Sequence, residues 1–288
     1  MISWAPPGRS GRAMLEAGLY VVATPIGNRG DVTARALEVL QAADVVAAED
    51  TRTTGALLSS LGLSVPLVSV HEHNEARRAP GLVQRMLDGA AVALVSDAGT
   101  PLVSDPGYRL VRAAIEAGLR VHPVPGASAL TAALSVSGLP SDRFVFEGFL
   151  PARDGPRRAR IAALADEPRT LVLFESAHRV QQTLGDLRDG LGEAREAAVC
   201  RELTKRFETV LRGPLQALCE RLESDADQRR GEFVLVIGGA ERDTSRALAD
   251  AITLARALCE HLPASQAARV AAGIHGVSRR ELYDALQS

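Results

Sequence analysis

Two aspartates, two serines, a threonine and two glycines crowd into the twelve residues Ser96-Asp97-Ala98-Gly99-Thr100-Pro101-Leu102-Val103-Ser104-Asp105-Pro106-Gly107, directly behind the apolar run Ala91–Val95. That is more polar chemistry than a turn needs. It also lies where parallel sheets hold small ligands, outside the carboxyl ends of the strands, where loop amides and a helix N-terminus meet polar ligand groups. Four more loops repeat the pattern: Thr24-Pro25-Ile26-Gly27-Asn28, Glu49-Asp50-Thr51-Arg52, His71-Glu72-His73-Asn74 and Pro125-Gly126-Ala127-Ser128. Each follows a short apolar stretch, so five strands deliver polar loops to one sheet edge. This convergence is the main argument from the residues for an active site.

Simpler roles compete for the same residues. Asp50 or Thr51 can cap the helix that follows. His71 and His73 lack a third and fourth ligand at metal spacing, which leaves surface polarity, acid–base chemistry or substrate contact. Among 33 cationic side chains Lys205 is the single lysine, a compact donor whose protonation can be tuned where arginine's cannot. The formal charge of −2 excludes a polycation, so contact with a nucleic acid would fall to local patches. Such patches occur at Arg153, Arg157, Arg158 and Arg160, at Arg201, Arg206 and Arg212 around Lys205, and at Arg229 with Arg230. Each reads equally well as a solvated helix face or loop.

Strands at 18–24, 44–49, 66–70, 91–96 and 119–124 alternate with helical patterns at 32–42, 52–61, 79–87 and 108–117, with a closing helix over 127–137. This order implies right-handed crossovers and a largely parallel sheet covered on both faces. The turn-rich segment 138–142 marks a boundary. Beyond it, strands at 143–147, 170–175, 197–202, 208–212 and 232–237 mix with helices at 156–165, 177–191 and 214–222. The expected organisation is a flexible leader (1–17), an α/β domain (18–137), a mixed α/β domain (138–240) and a helical extension (244–288). In the extension two short helices around Gly276 resemble a helix-turn-helix, and Ser278 and Glu281 have capping-box spacing. Hydrophobic content of 46% suffices for real cores, and no apolar run is long enough to span a bilayer. Cys200, Cys219 and Cys259 are too scattered for a disulfide framework or a thiolate zinc site, so no metal is expected and a reducing cytoplasm is.

Taken in order, Thr24 to Asn28, Glu49 to Arg52, His73-Asn74, the 96–107 loop, Glu147-Gly148-Phe149-Leu150-Pro151, Glu175-Ser176 with His178-Arg179, and Arg201-Glu202-Leu203-Thr204-Lys205 resemble one family. It is the 16S rRNA (cytidine-2′-O)-methyltransferase branch of the tetrapyrrole methylases. The resemblance runs from about residue 19 to 239, and the tail also resembles the family's C-terminal extension. It implies a two-domain, non-Rossmann class III methyltransferase fold that binds S-adenosylmethionine in the interdomain cleft, as a homodimer. Carried over by motif, the cofactor contacts are Pro25, Ile26, Gly27, Asp97, Ala98, Gly99, Thr100, Pro101 and Val103. Pro125, Gly126, Ser128 and Ala129 continue the pocket, and Glu175 and Leu203 come from the second domain.

The implied reaction is in-line displacement of the sulfonium methyl group by a ribose 2′-hydroxyl. Lys205, Glu49, Asp50 and His73 are expected on the nucleophile side, with Lys205 or His73 assisting deprotonation. Arg52, Arg153, Arg157, Arg158, Arg201 and Arg206 are expected at the RNA. With an aromatic content of only 3%, base stacking falls to Arg planes or the rare Phe and Tyr, and near-neutral charge points to a folded 30S subunit rather than bare RNA as substrate. The alternatives are a precorrin C-methyltransferase, on the same fold, and a non-catalytic rRNA-binding assembly factor. A nucleotide hydrolase is disfavoured by the absence of a GxxxxGK[ST] loop.

Overall fold

In the computed structural model, which describes residues 15–240 and 244–287, the first five strands alternate with helices. They are β1 (Gly18–Val22), α1 (Ala34–Ala42), β2 (Val45–Ala48), α2 (Thr51–Ser60), β3 (Leu67–Ser69), α3 (Glu75–Leu87), β4 (Ala91–Val95), α4 (Tyr108–Glu116), β5 (Val121–Val124) and α5 (Ala129–Ser137). The strands form one parallel sheet in the order β3-β2-β4-β1-β5. The central strands are apolar throughout because both of their faces are covered. Tyr20, Val22, Val46, Ala93 and Val95 meet α1 and α2 on one side. Leu19, Val45, Ala47, Val92 and Leu94 meet α3 and α4 on the other. The connections leaving the neighbouring strands β1 and β4 run in opposite directions across the sheet, which opens a crevice at their carboxyl ends.

The chain continues through β6 (Phe144–Phe149), α6 (Asp154–Ala163), β7 (Thr170–Ser176), α7 (Val180–Leu191), β8 (Glu196–Arg201), β9 (Thr209–Pro214), α8 (Leu215–Ser224) and β10 (Glu232–Ile237). These strands make a mixed sheet in the order β6-β7-β10-β8-β9, parallel only between β6 and β7. Helices α6, α7 and α8 bury one face. On the other, α5 and Ile26 pack against Val172, Ala198, Cys200 and Val234, which brings the loop after β1 onto the second sheet.

The expected elements appear with ends shifted by a few residues, except that α3 begins at Glu75 rather than residue 79. Pro80 lies inside that helix instead of opening it. Its missing amide is tolerated because the first turn is anchored independently: Asn74 Oδ1 accepts from the His71 amide at 2.9 Å, and the buried Glu75 accepts from the Leu110 amide at 2.9 Å.

Residues 15–165 and 169–238 form one compact unit, and 166–168 with 239–240 and 244–287 form a second. In the second, α9 (Thr244–Leu258), α10 (Ala264–His275) and α11 (Arg279–Gln287) surround a core of Ala251, Ala255, Ala268, Ala271, Ala272 and Leu282. Gly276 ends α10 in the left-handed conformation, and Ser278 Oγ accepts from the Glu281 amide at 3.4 Å. Of the leader expected over residues 1–17, residues 1–14 lie outside the described residues. No described helix is long and apolar enough to cross a membrane.

Candidate functional site

Backbone pairing ties the loops at the sheet edge together. Thr24 and Gly99 exchange two hydrogen bonds of 2.8 and 3.0 Å, and Thr100 Oγ1 donates to the Ala127 carbonyl at 3.0 Å. Among the described residues, the non-glycine residues with positive φ are Leu102, Ser104, Glu202 and Thr204. All four lie in the 96–107 and 201–205 loops. Such conformations persist only where the surroundings impose them, and they concentrate at functional sites.

These loops and the inner face of the mixed sheet enclose a cavity of about 380 Å3, within the range of small-molecule sites. Of the expected cofactor contacts, Ile26, Ala98, Gly99, Thr100, Val103, Ser128, Ala129, Glu175 and Leu203 line it. Gly126 lines an adjoining hollow, together with Ile26, Ser128 and Thr204, whose buried Oγ1 has no hydrogen-bond partner. Pro25, Gly27, Asp97, Pro101 and Pro125 line neither. Gly27 instead sits under the Lys205 stem, where a Cβ would fall 2.9 Å from Cε, and Asp97 Oδ1 accepts from the Asp50 amide at 3.1 Å.

The mixed sheet adds lining residues that the sequence reading missed, chiefly Phe149, Phe174 and Phe233. Strict alternation along β6 would put Phe149 on the face opposite Phe146. A bulge between Phe146 and Gly148 shifts the register, so both rings pack edge-on against Phe174, with centroids 5.0 and 5.8 Å away. Phe149 stays 54% exposed. Its only sequence signal was the glycine inside the strand.

The charged groups divide sharply. Asp50 is the cap of α2: it accepts from the Arg52 amide at 2.8 Å, and hydrogen bonds from Arg52 lower its pKa to about 2. That makes it a poor base, so the capping role displaces the catalytic one. Burial, and then the Asp97 charge, raise the pKa of Glu49, and the nearby imidazole that opposes this is His71. His73 is exposed and lines neither hollow. Lys205 Nζ lies 2.8 Å from Glu232 and 3.0 Å from Glu202. Burial disfavours its charge, but those two carboxylates more than compensate and raise its pKa. Lys205 is therefore a fixed cation and not a proton acceptor. Burial, and then Glu49 and Asp97, drive Asp105 up to about 6 against a hydrogen bond with Ser96.

Two of the arginines expected at RNA are internal. Arg157 is 1% exposed and bonds Asp186 at 2.7 Å and Asp154 at 2.9 Å. Arg201 is 8% exposed and donates to the carbonyls of Arg230 and Phe207 at 2.6 and 2.9 Å. Both staple the second half of the chain, and neither can reach a ligand. Arg52, Arg153, Arg158 and Arg206 are exposed. Among the described residues no group of three or more His, Cys, Asp or Glu is placed to hold a metal ion.

The family model of tetrapyrrole (corrin/porphyrin) methylases matches residues 18–219, and that of the RsmI C-terminal HTH domain matches residues 246–288. Ribosomal RNA small subunit methyltransferase I of Xylella fastidiosa is 52% identical over 92% of this chain and 97% of its own, and that of Escherichia coli O157:H7 is 49% identical over 92% and 93%. The solved structure of uroporphyrin-III C-methyltransferase from Thermus thermophilus complexed with S-adenosylhomocysteine superposes with a TM-score of 0.54. It is 21% identical and covers 77% of this chain and 97% of its own.

Proposed function

We propose, from the premise that this chain belongs to the tetrapyrrole methylase family and to its ribosomal RNA small subunit methyltransferase I branch, that it uses S-adenosylmethionine to methylate the ribose 2′-hydroxyl of a cytidine in 16S rRNA. The observation that carries this reading is the cavity itself: apolar walls for an adenosyl group, a wall at Gly99 that carries no side chain, and an acid at Asp105. The fit is favourable, because a Cβ at Gly99 would stand 3.2 Å from Ile26 Cγ2, on the wall that must admit the ligand. When bound, the cofactor supplies a methyl carbon already activated by a sulfonium.

What remains for the protein is to exclude water and hold the hydroxyl about 3–3.5 Å from that carbon, in line with the breaking bond. Ile26, Val103, Ala129 and Leu203 supply the dry walls. Phe149, exposed at the cavity and backed by Phe174, offers a face for an unstacked base. Arg153 and Arg206 are exposed toward phosphates, with Arg206 5.4 Å from the Phe207 ring, and Arg52 and Arg158 are exposed as well but already paired with Asp50 and Asp186.

Phe149→Ala should raise KM for the ribosomal substrate by roughly 5- to 100-fold, the value of one lost stacking contact. The dissociation constant for S-adenosylmethionine should stay within about twofold, and Phe149→Tyr should restore KM. A KM that does not move would remove Phe149 from the acceptor side.

The functional test is incubation with labelled S-adenosylmethionine and unmodified 30S subunits, followed by mapping of the labelled nucleotide. Label on a cytidine ribose is expected, much more efficiently on 30S subunits than on deproteinised 16S rRNA. Label on a base, or in uroporphyrinogen III supplied as a rival acceptor, would overturn the reading. Action in the cytoplasm as a homodimer completes the proposal, and sedimentation of the purified protein tests the dimer.

A further inference from the structure

Four titratable side chains line the cavity: Asp105, Glu175, Cys200 and Glu232. Three are already committed. Glu175 accepts from the Ser176 amide at 2.8 Å and from Thr183 Oγ1 at 2.7 Å, and it lies 3.4 Å from Arg179. Glu232 is held by Lys205 Nζ at 2.8 Å. The buried Cys200 thiol is pushed up to about 11, so it stays protonated. Asp105 is the exception: it has a hydrogen bond with Ser96, but no ion pair engages it among the described residues, and the charges that act on it, Glu49 and Asp97, have its own sign.

The backbone around Asp105 is built to hold it there. Leu102 and Ser104 adopt φ values of 74° and 64°, a region that side chains other than glycine occupy only when surroundings compel them. Gly148 in the β6 bulge lacks the Cβ that would lie 2.9 Å from Ser104 Oγ, so the loop closes onto the second sheet one residue before Asp105. The same bulge sets Phe149 at the cavity, so acid and aromatic face are positioned by one device.

We propose that Asp105 is the catalytic residue that accepts the proton of the acceptor hydroxyl, an inference that rests on the methyl-transfer reading above. In the step, the hydroxyl oxygen bonds the methyl carbon, the carbon–sulfur bond breaks with its electron pair returning to sulfur, and the proton passes to the Asp105 carboxylate. Sulfur leaves as a neutral thioether, and Asp105 later releases its proton to water. Burial, and then the like charges of Glu49 and Asp97, make this carboxylate a stronger base than an exposed aspartate, yet with a pKa of about 6 it is mostly ionised at neutral pH.

The test compares wild type, Asp105→Asn and Asp105→Glu on 30S subunits from pH 5 to 9. Wild-type kcat should fall below about pH 6 with the slope of a single proton. Asp105→Asn should lose about 100- to 10,000-fold in kcat and show no acidic limb, and Asp105→Glu should regain part of the rate with the limb displaced. Folding gives an independent control. A folded-state pKa above the ordinary aspartate value means that Asp105 favours the fold only when protonated; this contribution is complete below about pH 4 and lost as pH rises through about 6. Asp105→Asn at pH 8 should therefore melt no lower than wild type.

An Asp105→Asn rate within a few-fold of wild type, a persisting acidic limb, or a loss confined to weaker S-adenosylmethionine binding would each overturn the assignment. A wild-type protein that methylates no rRNA would overturn the reading beneath it instead.

Discussion

Arg157→Leu should lower the unfolding free energy by about 3–5 kcal/mol, because it strands the carboxylate of Asp186, whose side chain is only 3% exposed. Arg158 still reaches Asp186 at 2.9 Å, which places the loss toward the lower end. In a chain of this length such a loss corresponds to a drop in Tm of roughly 6–15 °C. Arg157→Leu combined with Asp186→Leu should recover much of the drop, since removing both partners leaves no buried charge unpaired. At a temperature where the single variant is folded, its KM for 30S subunits should match wild type. Arg153→Ala should behave the opposite way, with Tm unchanged and RNA binding weaker and less salt-dependent, because its side chain is exposed. An unaltered Tm together with a raised KM in Arg157→Leu would return that residue to the RNA surface.

The case of Arg157 shows where sequence reading runs out. Four arginines between 153 and 160 look like one basic patch, but helix α6 sorts them by face. Arg157 shares its face with Ile161, four residues on and 1% exposed, and that apolar neighbour was the available warning. Its partner Asp186 stands 29 residues away on α7, a pairing that spacing cannot reveal. The same holds for Lys205. Its singularity among the cations was visible, and Glu202 stands only three residues before it, but its second carboxylate, Glu232, is reached because β10 lies beside β8.

The first sheet was legible because strands buried on both faces are apolar throughout, and the loops that follow them are polar by contrast. The order of the second sheet was not, since antiparallel pairing of β7, β10, β8 and β9 is fixed by contacts far apart in the chain. The acceptor side of the cavity is illegible for a related reason. Phe149 reaches it through a bulge, and Asp105 stands out only once its burial beside Glu49 and Asp97 is known.

Gly99→Val should weaken S-adenosylmethionine binding by about 100-fold or more, equivalent to at least ~2.7 kcal/mol, and abolish methyl transfer at ordinary cofactor concentrations. Both backbone hydrogen-bonding groups of Gly99 are paired with Thr24, so the backbone there cannot swing aside without breaking the link between two loops. A Cβ would stand 3.2 Å from Ile26 Cγ2, and the two further methyl groups would occupy the cavity wall that both residues form. A second cost arises from φ, which at +82° is a conformation that a β-branched residue resists by about 1–2 kcal/mol. This strain is present with and without ligand, so it lowers stability and leaves affinity alone. Gly62→Val separates the two effects. Gly62 has φ of +72° and open space where its Cβ would go, at the far end of α2. Both variants should lose similar stability from strain, yet only Gly99→Val should lose the cofactor by titration calorimetry. Equal affinities in the two variants would mean that Gly99 shapes the fold and not the methyl-donor wall.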